Sequence, residues 1–369
     1  MKRTSFRRAI VPGVAVIALA AGLSACGAGN EDSGSSSDSG LSGTLTGEGS
    51  SAQEAAQTAW RAGFQGENSG VTVNYTPSGS GAGREKFIAG AVDFAGSDSY
   101  LKDDDEATEL SDAKERCGGE DPVEVPAYVS PIAVVYNLPG VDTLNLSAET
   151  IGKIFNEKIT TWNDPAIKQE NPDADLPSTK ITPVHRSDES GTTENFTDYL
   201  EKASDGGWPH EKDKLWPLKS GEAAQGTSGV IQAVKEGEGS IGYADESQVG
   251  DLQVASIKVG EEYVAPSAEA AAKVLAVSPR AETATDVSMA IDVDRTTTES
   301  GAYPLLLASY LIACQHYDDQ ATADLVKGYL TYVISEEGQQ TAADNAGSAP
   351  LDAELADEAN GIVSQISAK

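Results

Sequence analysis

From Gly43 onward, short β-type runs alternate with helix-type runs: GTLTG, SSAQEAAQTAWRAGF, VTVNYT, GAGREKFIAGA and VDFAGS. Strands feeding helices leave few architectures open, because each helix must lay its apolar stripe on a sheet. The pattern predicts an α/β fold. In the first helical run Ala56, Trp60, Gly63 and Phe64 share a face, and in TENFTDYLEKA the residues Phe196, Tyr199, Leu200 and Ala203 repeat that spacing. A second α/β block runs from AYVSPIAVVYNL through GSIGYADES to near Ile291, and YPLLLASYLIACQ then opens a last strand-and-helix segment. The closing helical runs, ADLVKGYLTYVIS and DAELADEANGIVSQIS, need a sheet to lie on and are expected to return to the first block. The expected organisation is one discontinuous lobe, residues 43–126 with 302–369, and one inserted lobe, 127–301.

At 369 residues and 39% hydrophobic content the chain can bury the cores of two such units. Its net charge of -32 excludes a phosphate-backbone partner, since a nucleic-acid binder needs a basic face and no Lys/Arg cluster follows the first eight residues. Residues 1–25 read as an export signal: Lys2, Arg3, Arg7 and Arg8, an apolar run from Ala9 to Leu23, then Leu-Ser-Ala-Cys, which resembles a lipobox. That run is shorter than the roughly 20 residues a bilayer span needs, and Pro12-Gly13 interrupts it. Cys26 is therefore the expected lipidation site, and residues 26–42, poor in large apolar side chains, a flexible tether holding a soluble domain at the outer face of the membrane. Cys117 and Cys314 form an even pair in an oxidising setting and are expected to be disulfide-bonded, two buried thiols being the alternative.

Three places put a small hydroxyl or glycine residue where a strand gives way to a helix: Gly47 to Ala52, Ser78-Gly79-Ser80-Gly81, and Ser190-Gly191-Thr192, the last following Arg186 by four residues. A helix N-terminus presents unpaired N–H groups and partial positive charge, and so favours an anion. One such turn is merely a cap; three with an arginine point to a convergent anion site. The first also fits G-x-G-x-x-A, but VTVNYT ends without the acidic residue that grips a ribose. Serine hydrolysis lacks a nucleophile elbow at Ser80 and a ready base among His185, His210 and His316. KDDDEATE and Asp292-Val293-Asp294 lack the glycine of a calcium loop, so no metal or cofactor is expected. Asp98, in VDFAGSDSYL, is either a helix cap or an acceptor that favours an oxyanion still bearing a proton and repels one that does not.

With LTGEGSSAQ, PSGSGAG, VDFAGSDSYL, IGKIFNEKITTWNDPAI and HRSDESGTTENF in order, the chain resembles the phosphate-binding lipoproteins of the high-affinity phosphate ABC importer, over nearly all of 43–369. The resemblance implies a two-lobed, type II periplasmic-binding-protein fold whose lobes are mixed sheets flanked by helices. It implies inorganic phosphate in the interlobe cleft, held by Ser51, the Ala52 amide, Ser80 and Asp98 from one lobe and by Arg186, Ser190, Gly191 and Thr192 from the other. Asp188 would hold Arg186 from behind, and Ala52 replaces an aromatic that many relatives carry. NEKITTWNDPAI resembles a surface segment of the family with no ligand role. A non-catalytic monomeric receptor serving ABC transporter membrane subunits is implied. The alternatives are a sulfate or molybdate receptor, a secreted phosphatase using Ser80 or Ser51, and an adhesin.

Overall fold

The computed structural model describes residues 40–104 and 107–369; the signal segment, Cys26 and nearly all of the expected tether lie outside the described residues. In chain order, β1 (Ser42–Gly49), α1 (Glu54–Glu67), β2 (Gly70–Thr76), α2 (Ser80–Ile88), β3 (Phe94–Ser97) and α3 (Glu109–Arg116) lead into the long β4 (Val123–Tyr136). Next come β5 (Asn145–Leu146), α4 (Ala148–Phe155), α5 (Pro165–Glu170), β6 (Thr182–Arg186), α6 (Gly191–Ala203), β7 (Glu222–Ala224), α7 (Gly226–Glu236) and β8 (Ser240–Asp245). Then β9 (Gln253–Val254), β10 (Ser256–Val259), β11 (Glu262–Val264) and α8 (Ala268–Leu275) precede β12 (Leu306–Ala313), β13 (His316–Tyr317), α9 (Gln320–Ile334), α10 (Glu336–Ala346), α11 (Ala353–Val363) and β14 (Ser367–Ala368).

The main sheet runs β2-β1-β3-β12-β4-β8-β6-β7, with β9 also on β4. Every residue of β4 is buried, as its near-continuous apolar sequence VEVPAYVSPIAVVY requires of a strand covered on both faces. This strand changes partner along its length, pairing with β12 from Val123 to Pro131 and with β8 from Ile132 to Tyr136. Pro131 is the last β4 residue in register with β12, opposite Leu306, and Ile132 begins the pairing with β8. The two lobes meet there: β1, β2, β3, β12 and the start of β4 on one side, the end of β4, β6, β7, β8 and β9 on the other.

The closing helices do return to the first block. Helix α9 lies on β1, α10 on α1, and α11 on α9 and β4. The Trp60 indole of α1 donates to Gly338 O at 2.7 Å and meets Tyr128 edge-on. Gly63 is small because Tyr332 Oη would lie 1.9 Å from any Cβ there. One expectation changes: Asn156–Ile167 is not simply surface, since Trp162 is fully buried and donates to Gly239 O at 3.0 Å. Its aromatic anchor pins a loop whose polar residues face outward.

Cys117, at the end of α3, and Cys314, just past β12, are disulfide-bonded with Cα atoms 5.2 Å apart and 197 positions apart in sequence. A cross-link closing so long a loop restricts the unfolded chain strongly. Replacing both cysteines by Ala is expected to lower unfolding free energy by about 2–5 kcal/mol, read from urea melts.

At the lobe junction Asp245 is fully buried, with Tyr128 Oη donating to Oδ1 at 2.9 Å and Ser247 N at 3.1 Å. Burial pushes its carboxyl up to about 7, although hydrogen bonds from Ser247, Ser130 and Tyr128 pull the other way. A raised carboxyl pKa means the folded state holds the proton longer than the unfolded chain. Its stabilising contribution is complete below the ordinary carboxylate range and is lost as pH rises to about 7. Asp245→Asn is therefore expected to match the parent in urea melts near pH 4 and to exceed it by on the order of 2 kcal/mol above pH 7.

Candidate functional site

The site is built where helix N-termini from both lobes converge. On the first lobe, β1 ends in a turn whose Ser50 hydroxyl accepts the N–H groups of Ala52 and Gln53 at 3.1 and 3.3 Å, aiming that turn at the junction. After β2, Gly79 takes φ +110°, a conformation glycine tolerates, and starts α2 at Ser80. On the second lobe, Ser190 caps α6 by accepting Thr193 N–H at 3.1 Å.

Asp98 is the centre. It follows β3 in irregular backbone and the next helix begins at Glu109, so it caps nothing. At 3% exposure it accepts Ser50 Oγ at 2.5 Å and Ser309 Oγ at 2.7 Å on Oδ1, and Thr192 Oγ1 at 2.9 Å on Oδ2. Its N–H donates to Ser80 Oγ at 3.1 Å, and its carbonyl accepts Asn195 Nδ2 at 2.7 Å. Thr192 and Asn195 belong to α6, so this one aspartate ties the lobes together. Gly191 makes the approach possible: a Cβ there would lie 2.8 Å from Asp98 Cβ and 2.9 Å from Ser80 Oγ.

Arg186, at the end of β6 and 3% exposed, forms a two-pronged pair with Asp188: Nε donates to Oδ1 at 2.7 Å and Nη2 to Oδ2. Gly226 N–H adds a third donor to Asp188 at 3.1 Å. Burial would raise the Asp188 carboxyl, but the Arg186 guanidinium and the Gly226 amide outweigh it and hold the pKa below the usual carboxylate range. The pair also reaches the first lobe, because a Cβ on Gly79 would meet Asp188 Oδ2 at 2.5 Å and Arg186 Nη2 at 3.4 Å. Ser51 completes the circuit, accepting Thr227 N–H at 3.1 Å with Thr227 Oγ1 also 3.1 Å away.

The structure thus gathers Ser51, Ser80, Asp98, Arg186, Asp188, Ser190, Gly191 and Thr192 around one junction. Ala52 is there too, fully buried, but its amide is engaged by Ser50 Oγ, a bond that any ligand contact has to share or replace. Sequence reasoning missed Ser50, Asn195, Thr227, Gln248 and Ser309. Thr227 carried a signal, since Gln-Gly-Thr-Ser-Gly repeats the glycine-hydroxyl pattern at the start of α7. Ser309 carried another, as a polar residue inside LLASYLIA; the register slips between Ser309 and Tyr310, and Ser309 accepts Gln53 Nε2 at 2.6 Å while donating to Asp98. Gln248 Nε2 reaches Ser51 O at 2.7 Å with no local sequence signature.

No group of three or more metal-binding side chains occurs among the described residues. His185 is buried, with Nδ1 2.9 Å from Arg186 O and its ring stacked on Trp216, so it does not stand as a base to any of these serines. What remains is a buried set of hydroxyls, amides and one arginine around the Asp98 carboxylate, which is suited to holding a desolvated oxyanion.

A family model for the PBP superfamily domain matches residues 34–337. The phosphate-binding protein PstS 3 of Mycobacterium tuberculosis is 39% identical over 349 residues, covering 90% of this chain and 93% of its own. The phosphate-binding protein PstS of Haemophilus influenzae is 31% identical over 306 residues, covering 81% and 86%. Among solved structures, a high-affinity periplasmic phosphate-binding protein, PfluDING, bound with phosphate, superposes with a TM-score of 0.69 at 22% identity, over 86% of this chain and 93% of that one. A phosphate-binding protein from Stenotrophomonas maltophilia gives 0.66 at 21% identity over the same shares, 86% and 93%, so these likenesses establish the two-lobed fold. With a superfamily match over most of its length and curated relatives this similar, the chain belongs to the PstS phosphate-binding proteins of the PBP superfamily.

Proposed function

We propose that this protein captures inorganic phosphate between its lobes and delivers it to the membrane subunits of an ABC importer. The observation that carries the reading is the bonding of Asp98. An ionised carboxylate offers about four acceptor positions, and Ser50, Ser309 and Thr192 supply three donors. The remaining position, on Oδ2 beside Thr192, suits a ligand that brings its own proton. Hydrogen phosphate has one at neutral pH; sulfate brings only negative charge against a buried carboxylate.

In this reading Ser51, Ala52, Ser80 and Asp98 hold the anion from the first lobe and Arg186, Ser190, Gly191 and Thr192 from the second. Asp188 occupies Nε and Nη2 of Arg186, which leaves the Nη1 edge for the anion. The lobe limits proposed are 43–126 with 302–369 and 127–301, with the first crossing moved a few residues later because β4 stays on β12 through Pro131; the protein works as a monomer without catalysis, and a lipid on Cys26 keeps it at the outer face of the membrane. No described helix is long and apolar enough to cross a bilayer.

Calorimetric titration of the soluble fragment from Leu41, stripped of ligand, with phosphate and then sulfate tests this. Tight one-to-one phosphate binding without sulfate heat is expected. Equal binding of both would remove the role given to Asp98, and no heat from either would overturn the receptor reading. Gly191→Ala pushes a methyl between Asp98 and Ser80, an overpacking of about 1–3 kcal/mol. Phosphate affinity is expected to fall about 5- to 150-fold in the same titration.

A further inference from the structure

Beside the anion site, with no side-chain bond to its proposed ligand contacts, four charged side chains form a closed ring of alternating sign. Arg84 Nε pairs with Glu109 Oε1 at 3.0 Å, Glu109 Oε2 with Lys214 Nζ at 2.6 Å, Lys214 Nζ with Glu189 Oε1 at 3.8 Å, and Glu189 Oε1 with Arg84 Nη2 at 2.9 Å. Three of the four side chains are enclosed: Arg84 is 0% exposed, Lys214 12% and Glu109 14%, while Glu189, at 41%, faces out. A buried ring whose charges cancel avoids the penalty of an unpaired ion.

The ring's edges divide by lobe. Arg84 on α2 and Glu109 on α3 belong to the first; Glu189 precedes α6, and Lys214 lies on the irregular strap after it, whose carbonyl accepts Ser190 N–H at 3.0 Å. Separating the lobes therefore breaks Arg84–Glu189 and Glu109–Lys214 but leaves Arg84 with Glu109 and Lys214 with Glu189. Each lobe keeps a neutral pair, so closure gains two ion pairs and opening strands no charge. Gly81 secures the approach, since its N–H donates to Glu189 O at 3.2 Å and a Cβ there would meet Glu189 Cβ at 2.6 Å.

We infer that this ring is an interlobe latch that sets how long the closed receptor retains its anion, with Lys214 and Glu109 as its positioning residues. The inference rests on the phosphate reading above and adds residues outside the ligand shell. Charge-paired closure slows opening, and so acts on release more than on capture.

The test is release of radiolabelled phosphate into an unlabelled chase for Lys214→Met, Glu109→Gln, the double variant and Lys214→Arg. Each single neutralisation is expected to speed release about tenfold. The double variant should go little further than either single one, because both remove the same edge. Lys214→Arg should restore slow release. The ligand-free melting temperature of Lys214→Met should stay near the parent's, whereas Glu109→Gln, which also takes from the buried Arg84 its partner on the same lobe, should melt lower. Release within twofold of the parent for both single variants overturns the latch. So does faster release in Lys214→Met that only follows a lowered ligand-free melting temperature, which marks a local structural role. A parent that binds no phosphate overturns the phosphate reading alone. Small-angle scattering of the ligand-free proteins then still judges the latch, which requires a larger radius of gyration in the single variants than in the parent.

Discussion

Asp98→Asn is expected to weaken phosphate about 10- to 150-fold, the loss of one hydrogen bond to a charged group, and to bring measurable sulfate binding into the same cleft. The three hydroxyls that now donate to Asp98 can rotate, so the amide is accommodated without an orphaned partner and the fold is retained. The amide N–H₂ becomes a donor toward the ligand where the carboxylate was an acceptor. That exchange favours an anion with no proton to give. Titration of the variant with both anions measures the swing, and a phosphate-to-sulfate ratio within threefold of the parent's would remove Asp98 from the selectivity mechanism.

Arg186→Met has the larger effect on affinity. It deletes the one arginine of the anion site and leaves Asp188, a carboxylate whose side chain is only 15% exposed, without its two-pronged partner. Deleting the charged donor to a buried anion is expected to lower phosphate affinity at least about 100-fold, and breaking the buried pair with Asp188 to lower stability by about 3–5 kcal/mol. The two consequences separate in Arg186→Met with Asp188→Asn, which removes the stranded charge. The double variant should recover most of the lost melting temperature and none of the affinity. If affinity returned with stability, Arg186 would be a scaffold residue and not a ligand contact.

How much of this was legible in sequence follows the range of each interaction. Arg186 and Asp188 lie two residues apart on one strand end, and Ser190 caps the helix that begins at the next residue, so their roles could be expected from local chemistry. The strand-to-helix glycine turns at Gly79 and Gly191 were legible for the same reason. Ser309 was not, because it lies 211 positions from Asp98 and arrives through strand pairing and a bulge. The latch was invisible for a further reason. In an acidic chain of net charge -32, Glu109, Glu189 and Lys214 read as ordinary solvated residues.

The amino-acid sequence by itself determined the α/β alternation, the apolar faces of α1 and α6, and the anion-favouring helix starts, since each depends on residues close in the chain. Only the tertiary structure decided that β4 changes partner at Pro131, that Asp98 takes hydroxyls from both lobes, and that four scattered charges close into a ring. These depend on which distant segments share a sheet or face a cleft. That pairing is selected by packing and desolvation summed over the whole chain, and no local stretch encodes it.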